Sequence, residues 1–352
     1  MVLQEALERI EPLDEKAMEY TRQRWNTLGK PLHSLGRLER LVTRFAGIYR
    51  NPNPKPAKKA VIVMAADNGV VEEGVTQTGQ EVTKIVTENM TKHNATICIL
   101  SSVSGADVYP VDIGIATDCD NPGVLPRKIR YGTANMRKGP AMTRQEAVRA
   151  IETGIDIVGE LVNQGYDMFA TGEMGIGNTT TSSAICSIFL GQSVEKVTGK
   201  GAGLTSQGLE NKIQVIKDSI EINKVNPEDP IDVLHKVGGL DIAGLVGCFI
   251  GGAVYHVPVF VDGFISSVAA LVATRIAPEC KPYIFPSHCS DEPAGRMVLD
   301  AMGLRPYILA DMCLGEGTGA VIGFTIADYA FKAYWELPSF EQTAFGTYEE
   351  LE

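Results

Sequence analysis

Hydrophobic positions along the chain follow two patterns. Five short runs are apolar at nearly every position and predict buried strands: AVIVMAA (60–66), VYPVDIG (108–114), MFATGE (168–173), VPVFVDG (257–263) and YILADM (307–312). Between them, apolar residues recur at helical spacing over 143–163, 206–222, 240–254 and 264–275. Strands that alternate with helices predict an α/β fold with a parallel sheet covered on both faces.

The two ends of the chain have a different character. Residues 1–28 show helical periodicity, and a second helix is predicted to begin near Ser34. The acidic end SFEQTAFGTYEELE (339–352) is predicted to be a helix end or a tail. The longest apolar stretch, 240–261, is interrupted by Asp241, Gly251–Gly252 and Pro258. We therefore predict a buried helix followed by a strand there, and no membrane span.

Composition limits the classes of function. The 352 residues carry a formal net charge of −11, which argues against binding to nucleic acid or to anionic membranes. An anionic small substrate would have to be held by local amides, helix N-termini and a few lysines. The seven cysteines show no C-x-x-C spacing, and the N-terminus does not have the pattern of a signal peptide. These features predict buried, reduced thiols in a cytoplasmic protein.

Three glycine-rich segments follow three of the predicted strands: TGEMGIGN, DGFISS and LGEGTG. Ligands of open α/β sheets bind beyond the carboxyl ends of the strands. Because the three segments all fall at that edge, the pattern predicts one binding site built from them.

The segment TGEMGIGNTTTSSAI (171–185) indicates a strand, a glycine loop and the start of a helix. Exposed amides at a helix N-terminus bind phosphate. A tight strand-to-helix turn without a ligand is the alternative interpretation. Lys200 and Lys212, in GKGAGLTSQGLENKI (199–213), could supply positive charge, although either could equally be a solvated surface lysine.

Two glutamates lie within the glycine segments. Glu316 has glycine on both sides, which allows a substrate to approach closely, so it is the candidate general base. A structural carboxylate that caps local amides is the alternative. Glu173 is a candidate second acid or an acceptor for a ribose hydroxyl group.

Other catalytic classes have little support in the sequence. SHCSDEPAGR (287–296) contains residue types that bind metal, but four neighbouring loop residues cannot easily all face one ion. No G-x-S-x-G segment is present for a hydrolase. We therefore predict neither a metal nor a cofactor.

Taken in order, the motifs resemble those of the nicotinate-nucleotide:5,6-dimethylbenzimidazole phosphoribosyltransferase family. The matching segments run from about residue 29 to residue 325: LGRLERLV, AADNGVVEEGV, GTANMRKGPAMT, TGEMGIGNTTTSSAI, GKGAG, VGGLDIAGLVG, VFVDGFISS, SHCSDEPAG and LGEGTGA. The most specific of them are GEMGIGNTT and LGEGTG.

The resemblance implies a three-layer α/β/α fold with a mostly parallel, Rossmann-like sheet. It implies a large catalytic domain over 51–325 and a small helical domain from 1–50 plus 326–352, in a dimer with sites near the interface. The implied reaction moves 5-phosphoribose from nicotinate mononucleotide to an aromatic base, with inversion. Nicotinate leaves from a pyridinium and needs no acid, and no pyrophosphate leaves, so no magnesium site is required.

By resemblance, Glu316 is the base and Glu173 lines the reacting centre. The implied nucleotide and phosphate site comprises Gly175, Gly177, Asn178, Thr179, Thr180, Gly201, Gly203, Lys212, Gly317 and Gly319. The implied acceptor site comprises Thr76, Thr78, Gln80, Ile85, Met174 and Leu314.

The sequence departs from the family pattern mainly in the acceptor loop, GVTQTGQEVTKI (74–85). Thr78–Gly79 replaces a Tyr-Pro pair, and Ile85 replaces a glutamine. Asn68 stands for the family's usual histidine and Asp241 for its glutamate. The acceptor is therefore predicted to be dimethylbenzimidazole or a phenol such as p-cresol, in a homodimer or a heterodimer with a paralogous chain. A catalytically silent subunit of such an enzyme is the alternative function.

Overall fold

The computed structural model describes residues 1–343 together with Gly346 and Tyr348. Its main sheet has six parallel strands in the order β3-β2-β1-β4-β5-β6. The strands are β1 (Lys59–Ala66), β2 (Ala106–Gly114), β3 (Leu125–Pro126), β4 (Met168–Met174), β5 (Val259–Val261) and β6 (Ile284–Pro286). This is the doubly wound, Rossmann-like order, in which the chain reverses direction across the sheet between β1 and β4.

Helices account for most of the remaining ordered chain. They are α1 (Leu3–Glu8), α2 (Glu15–Thr27), α3 (Arg37–Tyr49), α4 (Glu81–Thr91), α5 (Thr96–Ser104), α6 (Arg144–Asn163), α7 (Asn178–Leu190), α8 (Val194–Val197), α9 (Ser206–Asn223), α10 (Pro230–Val237), α11 (Leu240–Val254), α12 (Phe264–Ile276), α13 (Gly295–Ala301) and α14 (Thr318–Glu336). Short 3₁₀ turns cover Gly69–Glu73, Pro278–Tyr283 and Phe340–Gln342. The helices predicted over 143–163, 206–222, 240–254 and 264–275 are confirmed to within about one residue at each end.

The sheet is covered on both faces, so the predicted three-layer α/β/α fold is confirmed. Successive residues of a strand point to opposite faces. On β1, Met64 lies against Gly244 of α11 on one face, and Val61 lies against Gly317 at the start of α14 on the other. All of α11 is buried, as the uninterrupted apolar pattern predicted.

Glycine allows α6 and α11 to pack at very short range. A Cβ atom on Gly154 of α6 would lie 2.1 Å from the Gly244 carbonyl oxygen, and one on Gly247 would lie 2.0 Å from the Ile151 carbonyl oxygen. Any larger residue would force the two helices apart. The N-terminus of α6 is fixed by a capping box between Thr143 and Glu146.

The N-terminal helices pack against the end of α14 through aromatic side chains. The ring centroids of Trp25 and Tyr334 lie 4.9 Å apart, and those of Phe45 and Phe331 lie 5.2 Å apart. The predicted division into domains stays a prediction; its boundary at 325/326 lies within the continuous helix α14. Of the predicted acidic end 339–352, the first five residues are described and include the 3₁₀ turn Phe340–Gln342, whereas residues 344, 345, 347 and 349–352 lie outside the described part of the chain.

Several expectations need correction. The helical pattern of 1–28 forms two helices, because Pro12 separates α1 from α2, and α3 begins at Arg37 rather than near Ser34. Gly36 delays that start, because its φ of +53° is not helical. The run 307–312 contributes only β8 (Ile308–Leu309), which pairs with β7 (His288–Cys289) outside the main sheet.

Strand β6, which the sequence did not predict, occupies the edge of the main sheet instead. It is short and follows the 3₁₀ turn Pro278–Tyr283, so the run lacked the length of a recognisable strand.

All seven cysteines are free thiols, and four of them are buried. Cys119 and Cys289 are partly exposed, and Cys313 is exposed, so the prediction of burial was wrong for Cys313. Among the described residues, no helix combines the length and the apolar character needed to cross a bilayer.

Candidate active site

A cleft of about 350 Å³ opens at the carboxyl edge of the sheet, where β4 ends beside β1. This is the point at which the strand order reverses, the usual ligand position in such sheets. The lining residues come from five segments: Val75–Thr78 with Val86, Glu173–Thr179, Lys200–Ala202 with Leu204, Gly263–Ser266, and Cys313–Glu316, with His288, Ser290 and Glu292 at one side. The three glycine-rich segments that were predicted to share one edge therefore do meet.

The first glycine loop, as we define it, covers residues 172–177 and comprises the last residues of β4, among them Glu173, and the turn that leads into α7. Gly177 has φ +93°, and a Cβ atom there would lie 2.9 Å from the Val71 side chain, so the turn requires glycine. As the N-cap residue of α7, Gly177 has no side chain that could cap the first turn. The helix N-terminus therefore faces the cleft as a local positive pole.

Lys212 supplies a positive charge behind this loop. Its side chain is buried, and Nζ donates hydrogen bonds to Thr179 Oγ1 at 2.8 Å and to the Gly199 carbonyl oxygen at 3.2 Å. Burial lowers the pKa of Lys212 to about 8, and the nearby Glu292 carboxylate opposes that change. Near pH 7 the amine is thus a buried cation in contact with Thr179, which lines the cleft.

The second glycine loop, residues 313–317, lies directly before α14. Gly315, Glu316 and Gly317 have φ values of +92°, +61° and +98°. A left-handed backbone is costly for glutamate, which marks Glu316 as a strained residue at a functional position. Its Oε2 accepts a hydrogen bond from the Ile97 amide at 3.2 Å, while burial raises the pKa of its carboxyl group.

A carboxylate from a third segment caps α14. Asp262, which follows β5, accepts hydrogen bonds from the Gly317 amide at 2.9 Å, the Gly319 amide at 2.7 Å and the Ala320 amide at 3.1 Å. Asp262 is fully buried, which raises its pKa to about 6 against the lowering effect of these amides. The sequence showed it only as a single acid after a strand, and nothing in the local pattern revealed its partners.

Glu173 lies at the floor of the cleft and contacts both loops. Its Oε1 is 2.2 Å from the position that a Cβ atom on Gly315 would occupy, so only glycine fits opposite it. Its Oε2 accepts a hydrogen bond from the Asn178 side-chain amide. Burial, and then the nearby Asp241 carboxylate, raise the pKa of Glu173 to about 8. The carboxyl groups of Glu173 and Glu316 therefore face one space, and burial raises the pKa of both.

Two departures from the family pattern, Asn68 and Asp241, lie against each other behind the cleft. Their Oδ1 atoms lie 2.6 Å and 2.4 Å from the position that a Cβ atom on Gly239 would occupy. Both side chains are fully buried. Nothing in the local sequence indicated that positions so far apart in the chain share one contact.

Most of the residues implied by the resemblance gather at the cleft. Those that line it are Thr76, Thr78, Glu173, Met174, Gly175, Gly177, Asn178, Thr179, Gly201, Leu314 and Glu316. Gly203 lies nearby, where a Cβ atom would be 3.4 Å from Gln77 Oε1. Others lie behind the wall: Thr180, Lys212, Gly317 and Gly319 are buried within or beside the helices that begin there.

The acceptor side differs from the expectation at two positions. Within this chain Ile85 lies on the exposed face of α4, with 52% of its surface accessible, and its neighbour Val86 lines the cleft. Gln80 Nε2 donates a hydrogen bond to the Asn68 carbonyl oxygen at 3.1 Å, so it holds the loop rather than facing the cleft. The choice between positions 85 and 86 depends on helix rotation, which the spacing did not determine.

His288 packs tightly against the first turn of α14. A Cβ atom on Gly319 would lie 1.8 Å from His288 Nδ1, and burial lowers the pKa of the imidazole. Across the described part of the chain, no group of three or more histidine, cysteine, aspartate or glutamate side chains is arranged to hold a metal ion. From the sequence, His288 was considered only as a metal ligand, and its packing role was not predicted.

Comparison with known proteins agrees with this geometry. A protein-family model described as a phosphoribosyltransferase matches residues 10–344. The chain is 51% identical to the nicotinate-nucleotide–dimethylbenzimidazole phosphoribosyltransferase of Ruminiclostridium cellulolyticum over the full length of both chains. It is 47% identical to the protein of the same name from Acetivibrio thermocellus, over 99% of each chain.

The crystal structure of CobT from Thermus thermophilus superposes with a TM-score of 0.88 and 36% identity, covering 93% of this chain and 98% of that one. At this coverage the likeness extends over nearly the whole of both chains. The chain is therefore an enzyme that transfers a phosphoribosyl group, and it belongs to the nicotinate-nucleotide–dimethylbenzimidazole phosphoribosyltransferase family.

Proposed function

We propose that the enzyme transfers 5-phosphoribose from nicotinate mononucleotide to an aromatic acceptor, with inversion at the anomeric carbon. The observation that carries the proposal is that Glu316 and the uncapped N-terminus of α7, which can bind a phosphate, line the same cleft. The phosphate would lie at the first turn of α7, near Thr179 and Gly201. The buried cation of Lys212 and the exposed Lys200 offset the negative charge of the protein there.

The chemistry follows from the charges on the two reactants. As the acceptor atom bonds to the anomeric carbon, the bond to nicotinate breaks, and its electron pair neutralises the pyridinium nitrogen. The acceptor must lose one proton, which Glu316 takes. General-base assistance of this kind contributes about 10²–10⁴ in rate. Positive charge that develops on the ribosyl group would also be stabilised by the Glu316 carboxylate.

The acceptor pocket is apolar with two hydroxyl groups at its rim. Val86, Met174 and Leu314 supply the apolar surface, and Thr76 and Thr78 the hydroxyls. We propose dimethylbenzimidazole, the base in the names of the relatives, as the first acceptor. A phenol such as p-cresol is the competing acceptor, supported by the loss of the Tyr-Pro pair at Thr78–Gly79. Ile85 does not support a phenol as the acceptor, because in the single chain its side chain is exposed and does not line the cleft.

We also propose that the enzyme is a dimer. Ile85 and Leu314, beside the cleft, are 52% and 55% exposed in the single chain, and a second copy would cover them. Light scattering of the purified protein tests this directly. A monomer that becomes active only with a paralogous chain would instead indicate a heterodimer.

One reaction tests the function. Purified protein is incubated with nicotinate mononucleotide and, separately, dimethylbenzimidazole, benzimidazole, adenine, phenol and p-cresol, and products are separated by chromatography. An α-ribotide that is lost in Glu316→Gln identifies both the reaction and the acceptor. No product with any acceptor would contradict the proposal and would favour the silent-subunit alternative.

A further inference from the structure

The side-chain amide of Asn178 joins two buried carboxyl groups. Its Nδ2 donates to Glu173 Oε2 and also to Asp241 Oδ2, at 3.0 Å for the latter. Glu173 lies at the end of β4, and Asp241 lies in the first turn of α11. All three side chains are buried, and Asp241 does not line the cleft. Asp241 therefore acts on the reacting centre from behind the cleft wall, through Asn178 and through its charge, and it also packs against Gly175.

The charged groups that face this pair are acidic. Glu173 faces Asp241, Asp262 and Glu316, and Asp241 faces Asp67. Lys128, a cation that acts on Asp67, forms an ion pair with Asp112 at 2.9 Å. Two carboxylates that share one amide in a buried space repel each other, which favours one proton on the pair.

The environments of the two carboxyl groups decide where that proton resides. Burial raises the pKa of Asp241 to about 6, opposed by the Asn178 amide, whereas the pKa of Glu173 is raised to about 8. Asp241, in the first turn of α11, also accepts hydrogen bonds from its own backbone amide and from that of Ile242, which stabilise its carboxylate form. The shared proton therefore favours Glu173. Asn178 already donates to Glu173 Oε2, so the acidic hydrogen belongs on Oε1, which faces Gly315 of the second glycine loop.

We propose that Asp241 is a positioning residue: its negative charge keeps Glu173 protonated, and the Asn178 amide that the two carboxyl groups share directs the Glu173 O–H group toward the second glycine loop. Glu173 then acts as a hydrogen-bond donor to the bound nucleotide, while Glu316 remains the base. This inference rests on the proposed function for its catalytic meaning, although the protonation state of Glu173 can be measured without turnover.

The dependence of kcat on pH gives the first test. In the wild type, kcat should fall as pH rises through about 8, because Glu173 then loses its proton. Burial also lowers the pKa of Lys212 to about 8, but loss of that charge is expected to raise KM for the nucleotide and not to lower kcat. Asp241→Asn removes the repelling charge, so the fall should begin about one pH unit lower. Asn178→Ser removes the hydrogen bond that favours the Glu173 carboxylate, so it should move the fall to higher pH. In Glu173→Gln the fall should disappear.

Asp67→Asn is the matched control, since Asp67 is a neighbouring buried carboxyl group that accepts a hydrogen bond from the Ala116 amide and not from Asn178. It makes the same chemical change and should leave the alkaline fall in place. A merely structural role for Asp241 would lower kcat at every pH without moving the profile. That result, or an equal shift in Asp67→Asn, would overturn the proposal.

A titration without substrate separates this inference from the proposed function. In protein labelled with ¹³C at the glutamate carboxyl groups, the Glu173 signal is assigned by its loss in Glu173→Gln. Its midpoint should lie above pH 7 in the wild type and lower in Asp241→Asn. A wild-type midpoint near the ordinary glutamate value would overturn the inference even if Asp241→Asn did not fold. Shifted midpoints in a protein that turns over no acceptor would instead contradict only the proposed function.

Discussion

The two glycine loops are built alike and act differently. Each contains a glutamate, and each ends in a left-handed glycine directly before a helix: Gly177 with φ +93° before α7, and Gly317 with φ +98° before α14. Each helix therefore directs its N-terminal amides toward the same cleft. The two helices differ in whether a side chain of the protein accepts hydrogen bonds from those amides.

At α14 the amides are already occupied, because Asp262 accepts three hydrogen bonds from its first turn. At α7 no such carboxylate caps the first turn among the described residues, and the buried cation of Lys212 lies behind it. A phosphate is thus repelled from one helix and attracted by the other. A glycine loop before a helix is an anion site only where the chain does not fill it with its own acid.

The largest expected effect is on the second loop. Glu316→Gln removes the base and should lower kcat by about 10²–10⁴, with little change in the KM for nicotinate mononucleotide. Steady-state kinetics at pH 7 with the accepted base measure both constants. A rise in KM with unchanged kcat would mean that Glu316 binds substrate and that the division of roles between the loops is wrong.

The corresponding change in the first loop is the control. Because the pKa of Glu173 is raised to about 8, its carboxyl group is mostly neutral at pH 7, and a glutamine resembles it. Glu173→Gln should therefore retain kcat to within about tenfold. Equal losses in the two variants would show that both glutamates act as anions.

The second prediction concerns the carboxylate that distinguishes the loops. Asp262→Ala leaves three buried amides without an acceptor, and it should lower the free energy of unfolding by about 2–4 kcal/mol. Urea unfolding at pH 7 measures the change. Asp262→Asn, which retains one acceptor oxygen, should lose less. An alanine variant as stable as the wild type would show that the cap does not hold α14.

Much of this architecture could be predicted from the sequence. Long periodic segments such as 143–163 and 240–254 predicted helices with accurate ends, since burial of one face or of all faces determines the pattern. The glycine segments after β4 and β5 located the cleft, because parallel strands bring their carboxyl ends to one edge. The parts of the site that depend on a single segment could therefore be predicted from the sequence.

Features that depend on contacts between distant segments could not be predicted from the sequence. Asp262 is one acid after a strand, and only the fold brings it to the amides of Gly317 and Gly319. Lys212 could equally have been a surface lysine, and only its packing makes it a buried cation. Strand β6 was too short to recognise, and the choice between Ile85 and Val86 depended on the rotation of α4.

The third prediction tests the feature that the loops share. Gly177→Ala and Gly317→Ala place a side chain on a left-handed backbone, with Cβ 2.9 Å from Val71 and 2.8 Å from Val61 respectively. Each should lower the free energy of unfolding by about 1–3 kcal/mol, by similar amounts in the two variants. Chemical unfolding of both variants measures these losses of stability. Steady-state kinetics should distinguish the two variants, because Gly177→Ala is expected to raise KM for the nucleotide and Gly317→Ala to lower kcat. The same kinetic defect in both would contradict the division of roles.

The smallest effect is expected from the cation behind the first loop. Lys212→Met keeps the buried volume but removes the charge and the hydrogen bond to Thr179, so KM for nicotinate mononucleotide should rise about tenfold while kcat changes little. Lys200→Met is the matched control: Lys200 also lines the cleft region but is exposed, so solvent screens its charge and the rise should be smaller. Equal effects would show that long-range attraction, and not the buried contact, holds the phosphate. A fall in kcat for Lys212→Met with unchanged KM would mean that α7 contributes to the chemical step. The assignment of binding to the first loop and of chemistry to the second would then be wrong.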